Sequence, residues 1–404
     1  MKQILLVGDE MRLKSGIGIQ LRMLRKCFEA EGHEVSNFGY TGLFDSFSER
    51  DEVVHEWDGV DTCRYGPSQL YGGLMTMDQV NWLTAKDWDV AVVMMPDHSE
   101  GNMNFIKYIR MVLMSKKIKP KMVLYFVWDE GLFFSPMITE YMVKPELLEL
   151  FDLVVPVSEA SDIVARLTNT ENMTGIVHHA VDETFWRYPT DEERAAARAK
   201  RGFAEGETVV LWTGRPMPRK NLNVALRLFR ELEVHLDVRL LLHTNPEDEW
   251  VRNLENVVQA FGPDSVVWEK RQDLNEEEFR DLFWASDACI NTSCAEGFGV
   301  PTAQALCCGL KCVCSDTNGS STIEIAMGND GSVIVVDVYS DFDIVSNERA
   351  LFGRAELMSI DEAFRVFEES TFERSYDVSE VARRVFGMEK FNTKWTQILE
   401  EVTS

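Results

Sequence analysis

No apolar run in this 404-residue chain approaches the length of a membrane span. The first, in MKQILLVGDE, ends at Asp9 and is too short for a secretory leader. A cytoplasmic protein without a transmembrane segment is therefore expected. Basic charge is also in short supply, with 41 Lys and Arg against 67 Asp and Glu and a formal net charge of -26. Such a chain repels nucleic acid and anionic membrane at long range, so only a local basic patch would bring either close. Hydrophobic residues at 45% and charged residues at 27% exclude a disordered chain. Internal repeats and low-complexity tracts are absent. Histidine is missing beside Cys307, Cys308, Cys312 and Cys314, so LCCGLKCVC reads as a helix end and a strand in a core, where free Cys behaves as a small apolar residue, and not as a zinc site.

What is present is alternation. Short apolar runs at 3–8, 89–95, 122–128 and 153–158 read as buried parallel strands separated by amphipathic segments such as IQLRMLRKCFEAEGH. The pattern starts again at 208–214 and continues at 238–244, 265–270, 288–293, 311–316 and 332–338. Two doubly wound α/β domains in tandem follow, over residues 1–185 and 186–375, with C-terminal helices in 376–404 crossing back to the first domain. Such a pair implies a central cleft, with ligands at the C-terminal ends of strands.

Four stretches fall at such ends. In CAEGFGVPTAQALCCG, Pro301 suits the start of a helix and Gly309 its end. The glycines before it would let a ligand reach the helix N–H groups, which favour phosphate, while Glu296 suits hydroxyls; together they suggest a nucleotide sugar. In LWTGRPMPRKN, Arg215 and Lys220 could clamp a diphosphate, Arg as a fork and Lys as a point charge. As loop cations they are expected to contribute little to stability. VGDEMRLKSGIGIQL departs from a dinucleotide loop, because Gly16 comes well after the strand, the third glycine is absent, and no acid ends the next strand, EVSNFGY. Gly16 and Gly18 nonetheless open a helix at a strand end. VWDEGLF places Asp129 and Glu130 at another strand end. Two D-x-D matches, Asp87 with Asp89 and Asp341 with Asp343, read as a strand start and a turn, and no metal site is expected.

TGRPMPRKN and SCAEGFGVPTAQALCCGLKCVCSDTNGSSTIE, with KSGIG, EGHEV, VSEA and HHAVDETFW, resemble the retaining GT-B glycosyltransferases of the glycogen-synthase and mannosyltransferase type, group 1. The resemblance covers nearly the whole chain and is specific in its second half. It implies two Rossmann-like domains facing a central cleft and a hexosyltransferase that moves a sugar from a UDP- or GDP-sugar to a hydroxyl, with no cofactor and no metal. By position, Arg215 and Lys220 would bind the donor diphosphate. Glu296 would grip the sugar, with the backbone of Gly297, Phe298, Gly299 and Val300 beside sugar and phosphate. Gly16 would approach the phosphate from the other domain, and Lys270 and Arg271 match the base-binding region. The family's second glutamate, which accepts the ribose hydroxyls, is here Gln304. Its histidine near VWDEG is absent, and Asp129 or Glu130 replaces it.

The acceptor is open: a glycan, a lipid-linked or small hydroxyl compound, or DNA with hydroxymethylated bases. Lys107, Arg110, Lys116, Lys117, Lys119 and Lys121 form a basic stretch that in related enzymes meets membrane; its plain reading is a solvated helix end. A catalytically silent sugar-nucleotide binder and a GT-B phosphorylase or epimerase are the alternatives.

Overall fold

The computed structural model describes residues 1–40, 53–66, 75–94, 100–129, 145–168, 171–247, 254–262, 265–344, 353–370 and 372–404. Two compact units divide it, one of Met1–Asp129 with Thr139–Ala180 and Met388–Ser404, the other of Val181–Gly387. Tyr376–Phe386, grouped by sequence with the terminal helices, lies in the second unit, because Ala382 and Phe386 are buried in its core and the Val181 amide donates to the Phe386 carbonyl at 2.8 Å.

The first unit is a seven-stranded sheet of β1 (Gln3–Asp9), β2 (Glu34–Tyr40), β3 (Val54–Trp57), β4 (Val60–Tyr65), β5 (Val90–Val93), β6 (Lys121–Phe126) and β7 (Leu153–Pro156). Their order is β3-β4-β2-β1-β5-β6-β7, parallel except for the β3–β4 hairpin. Sequence reading missed that hairpin because β3 is four residues long and half exposed, and the polar Asp61, Thr62 and Arg64 break up the apolar residues of β4. The signal was Asp58-Gly59, whose φ values of 49° and 78° fit the left-handed turn that joins twisted strands. Helix Gly16–Ala30 begins at Ser15, whose Oγ accepts from the Gly18 amide at 3.0 Å, and it buries Leu21, Leu24, Cys27 and Phe28. Helix Met388–Thr403 covers the same core, Trp395 meeting Phe28 and Tyr125 edge-on at 5.8 and 5.1 Å. Burying large aromatic rings of this kind contributes about 3–5 kcal/mol each, so this terminal helix is part of the unit's stability.

The second unit is an all-parallel sheet of β8 (Thr208–Thr213), β9 (Val238–His243), β10 (Val266–Glu269), β11 (Ala288–Asn291), β12 (Lys311–Ser315) and β13 (Val333–Val336), in the order β10-β9-β8-β11-β12-β13. Cys307, Cys308, Cys312 and Cys314 are buried in its core, and no metal-ligand cluster occurs among the described residues. Asp341 and Asp343 lie on strand Val338–Ile344, paired antiparallel with Gly353–Met358, and not in the turn expected of them; SDFD follows the apolar run closely enough to read as its end. In each sheet the strand order reverses once, at β1/β5 and at β8/β11, where doubly wound sheets bind ligands.

Candidate functional site

The loop after β8 is folded back by a 3₁₀ turn over Pro218–Lys220, and Asn221 then adopts a left-handed φ of 48° before helix Leu222–His235. The loop after β11 is stitched to it. The Cys294 amide donates to the Arg219 carbonyl at 2.8 Å, and Thr292 Oγ1 lies 2.9 and 3.1 Å from the Lys220 and Asn221 carbonyls. Backbone is thus fixed to backbone across the strand-order reversal.

The stitching brings Lys220 to Glu296. The Lys220 ammonium contacts Glu296 Oε1, Ser293 Oγ donates to the same oxygen at 2.7 Å, and Arg219 Nη1 lies 3.3 Å from Oε2 and 2.9 Å from the Ala295 carbonyl. Glu296 is 6% exposed. Burial alone would raise its pKa, but Lys220 and then Arg219, with the hydrogen bonds from Lys220 and Ser293, outweigh it and hold the carboxyl at about 2. A carboxylate so held is acceptor-only at neutral pH and retains lone-pair capacity for a sugar hydroxyl.

A folded-state value below the ordinary 4.5 means that ionised Glu296 stabilises the fold fully above pH 4.5 and progressively less toward pH 2. The contribution is on the order of 3 kcal/mol. Urea unfolding is expected to show a gap between wild type and Glu296→Gln that is constant above pH 5 and narrows below 4.5; a gap independent of pH would refute it.

Gly299 caps helix Val300–Cys307 with a φ of 89°, and no side chain caps that helix start. Pro301 stands in its first turn, one residue later than the expected first position. Gly319, at the start of helix Asn318–Met327, was not singled out by sequence. A Cβ there would lie 2.6 Å from Glu296 Cβ and 2.9 Å from the Phe298 carbonyl oxygen. Gly319→Ala is expected to push the Glu296 loop outward, costing roughly 1–3 kcal/mol by overpacking. A thermal melt unchanged from wild type would show that the loop gives way freely.

The remaining candidates separate. Arg215 is exposed on the loop, two residues past the end of β8, while Arg219, which sequence reading passed over, shares Glu296 with Lys220. Gln304 is buried one turn into its helix. Lys270 pairs with Glu255 at 2.5 Å and stands 4.5 Å over the Trp268 ring; Arg271 is bonded to Glu269 and Glu278. The Arg271 carbonyl lies 3.2 Å from His243 Nε2, so this imidazole donates from Nε2 and accepts from Thr213 Oγ1 at Nδ1, 3.0 Å away. In the first unit Gly16 is exposed with open space beside it, whereas a Cβ at Gly18 would lie 2.6 Å from the Leu13 carbonyl oxygen. Asp129 is half-buried beyond the end of β6, and Glu130 lies outside the described residues. Of the basic stretch, Lys116 pairs with Asp87 at 3.1 Å and Lys121 with Asp152 at 3.4 Å, while Lys107, Lys117 and Lys119 are exposed.

Comparison with known proteins bears on both units. The whole chain superposes on sucrose-phosphate synthase from Thermosynechococcus elongatus with a TM-score of 0.72 at 17% identity, covering 100% of this chain and 99% of that one. It superposes on Anabaena HepE in complex with UDP and glucose with a TM-score of 0.69 at 16% identity, covering 99% and 100%. The fold is that of the GT-B glycosyltransferases, two Rossmann-like parallel-sheet domains. Residues 193–343 match the family model for glycosyl transferases group 1, so the resemblance read from the sequence holds over this segment. D-inositol 3-phosphate glycosyltransferase of Mycobacterium sp. (strain KMS) is 31% identical over 165 residues, 40% of this chain and 36% of the relative. The enzyme of that name in Rhodococcus opacus (strain B4) is 24% identical over 262 residues, 63% and 53%. The chain thus spans between about a third and about a half of the length of these curated relatives. No described helix is long and apolar enough to cross a membrane.

Proposed function

We propose that the protein is a retaining glycosyltransferase that moves a sugar from a UDP- or GDP-sugar to a hydroxyl acceptor without a metal ion. One observation carries the reading: a buried, ionised Glu296 is shared by Lys220 and Arg219 where the strand order reverses, beside the uncapped start of helix Val300–Cys307. Two cations and a helix start supply what a departing diphosphate needs, which is fixed positive charge that requires no reorganisation as the bond breaks. Metal would be redundant there.

In this reading Glu296 accepts from sugar hydroxyls, Lys220 and Arg219 neutralise the diphosphate with Arg215 at the loop's outer end, and Gln304 meets the ribose. The Lys270–Arg271 loop lies toward the base, where the bound Arg271 carbonyl and the paired side chains leave recognition to the remaining backbone and to Trp268. The departing phosphate takes the acceptor's proton, so no protein nucleophile is required. The pairing of Lys116 with Asp87 and of Lys121 with Asp152 takes two cations of the stretch out of any basic face, which favours its plain reading over a membrane-binding one.

The test is a thermal-shift screen of UDP- and GDP-sugars followed by donor hydrolysis in excess EDTA, since a ligand of the native state raises apparent stability. Stabilisation by one nucleotide sugar with EDTA-resistant turnover is expected. Binding without turnover would indicate a silent binder, and turnover that requires free phosphate a phosphorylase. Loss in EDTA restored by manganese would overturn the metal-free site.

A further inference from the structure

The first unit repeats, on its own sheet, the electrostatic construction of the second. Glu10 directly follows β1, beside that sheet's strand-order reversal, and is 1% exposed. Arg12 Nε contacts its Oε1, Arg64 Nε lies 3.3 Å from its Oε2, and His55 Nε2 lies 3.1 Å from Oε1 and 3.3 Å from Arg64 Nη2. Three strands contribute, since Arg64 is the penultimate residue of β4, His55 sits on β3, and the Glu10 amide donates to the Tyr40 carbonyl at the end of β2 at 2.9 Å. Glu10 is wedged in place, because a Cβ on Gly39 would lie 2.7 Å from its Cα.

Stability does not account for this cluster. A buried ion pair is commonly matched or bettered by apolar residues of similar volume, so two guanidiniums and an imidazole gathered on one carboxylate stabilise little that a leucine would not. What Glu10 does achieve is order: it holds two long side chains in one arrangement before any ligand arrives, which removes the entropy cost of ordering them on binding. The side chains of Arg12, Arg64 and His55 are 27%, 15% and 16% exposed, so each keeps part of its surface at this sheet edge. Burial, then Arg64, hold the imidazole below its usual range, so it is neutral at pH 7. Asp9, the adjacent acid, accepts from Ser15 at the head of helix Gly16–Ala30. In a chain of net charge -26, an anionic ligand needs such a local device to approach.

We infer that Arg12 and Arg64, preorganised by buried Glu10, form an oxyanion site at the C-terminal edge of the first sheet, and that it holds a phosphate or carboxylate group of the sugar acceptor. The word acceptor rests on the transferase reading; the anion site does not.

The probe is inorganic phosphate, titrated by calorimetry and thermal shift with saturating UDP present to occupy the second unit's cations. Binding is expected in wild type and in Lys220→Ala, weakened about 10-fold or more when one guanidinium is removed in Arg64→Gln or Arg12→Gln. Since Arg64→Gln alone leaves Glu10 short of a partner, Glu10→Gln/Arg64→Gln, which removes one charge of each sign, is measured beside it and should fold as wild type and still lose phosphate. Phosphate affinity unchanged in that double variant, or lost in Lys220→Ala and kept in Arg64→Gln, overturns the site. Acetate in a parallel titration distinguishes carboxylate from phosphate. If phosphate binding follows Arg12 and Arg64 while no nucleotide sugar is turned over, the transferase reading fails and the anion site stands; donor hydrolysis that persists in Arg64→Gln with phosphate binding unaltered gives the converse.

Discussion

Lys220→Ala is expected to lower donor turnover by about 100-fold or more, the scale on which enzymes lose rate when a preorganised charge partner of the transition state is removed. The same variant should melt earlier than wild type. Loop position in the sequence suggests a solvated lysine of little structural consequence, but the side chain is 18% exposed and its partner, Glu296, 8%. Removing one member of a buried pair leaves the other charge uncompensated, a loss of about 3–5 kcal/mol, here moderated because Arg219 and Ser293 still hold Glu296. Lys220→Ala/Glu296→Gln separates the two effects. Removing both charges should recover most of the stability and none of the activity. Wild-type turnover in Lys220→Ala would sink the clamp, whatever the melt shows.

Most of the parallel strands were legible because a strand buried on both faces is a short continuous apolar run bounded by turn residues, as in QILLVG and TVVLWTG. Strands β3 and β4 were not, because half-exposed residues such as His55 and Glu56 interrupt any apolar pattern and only Asp58-Gly59 marks the turn. Lys220 and Glu296 were legible from residue type beside a strand end. Arg219 was passed over in favour of Arg215 because spacing from the strand cannot show that the chain doubles back through a 3₁₀ turn, which carries Arg219 inward and leaves Arg215 outside. Gly319 was invisible for a related reason: its constraint is the proximity of Glu296, 23 residues earlier in sequence, and nothing in SDTNGSST records it. The Glu10 cluster, spread over positions 10, 12, 55 and 64, exists only through the strand order β4-β2-β1.

Glu296→Ala and Gln304→Ala should differ in kind. On the proposed assignment the contact between Glu296 and the sugar strengthens as the glycosidic bond breaks and the ring must keep its orientation, so Glu296→Ala should lower kcat at saturating donor by about 100-fold or more. Its loss also removes the carboxylate that Lys220 and Arg219 share. Gln304 is buried one turn into helix Val300–Cys307, and on the proposed assignment its contact is with the ribose, alike in ground and transition states. Gln304→Ala should therefore raise the donor KM and spare kcat. Gln304→Glu places at this position the carboxylate that the sequence resemblance implies and should tighten donor binding by about 1 kcal/mol, the difference between a neutral and a charge-assisted hydrogen bond. The donor-free protein should melt earlier in that variant, because the new carboxylate is buried with no ribose to donate to it. Donor titration and donor-free melting thus move in opposite directions for Gln304→Glu. A Gln304→Ala enzyme with wild-type KM and collapsed kcat would place this residue on the reacting sugar and overturn its assignment to the ribose.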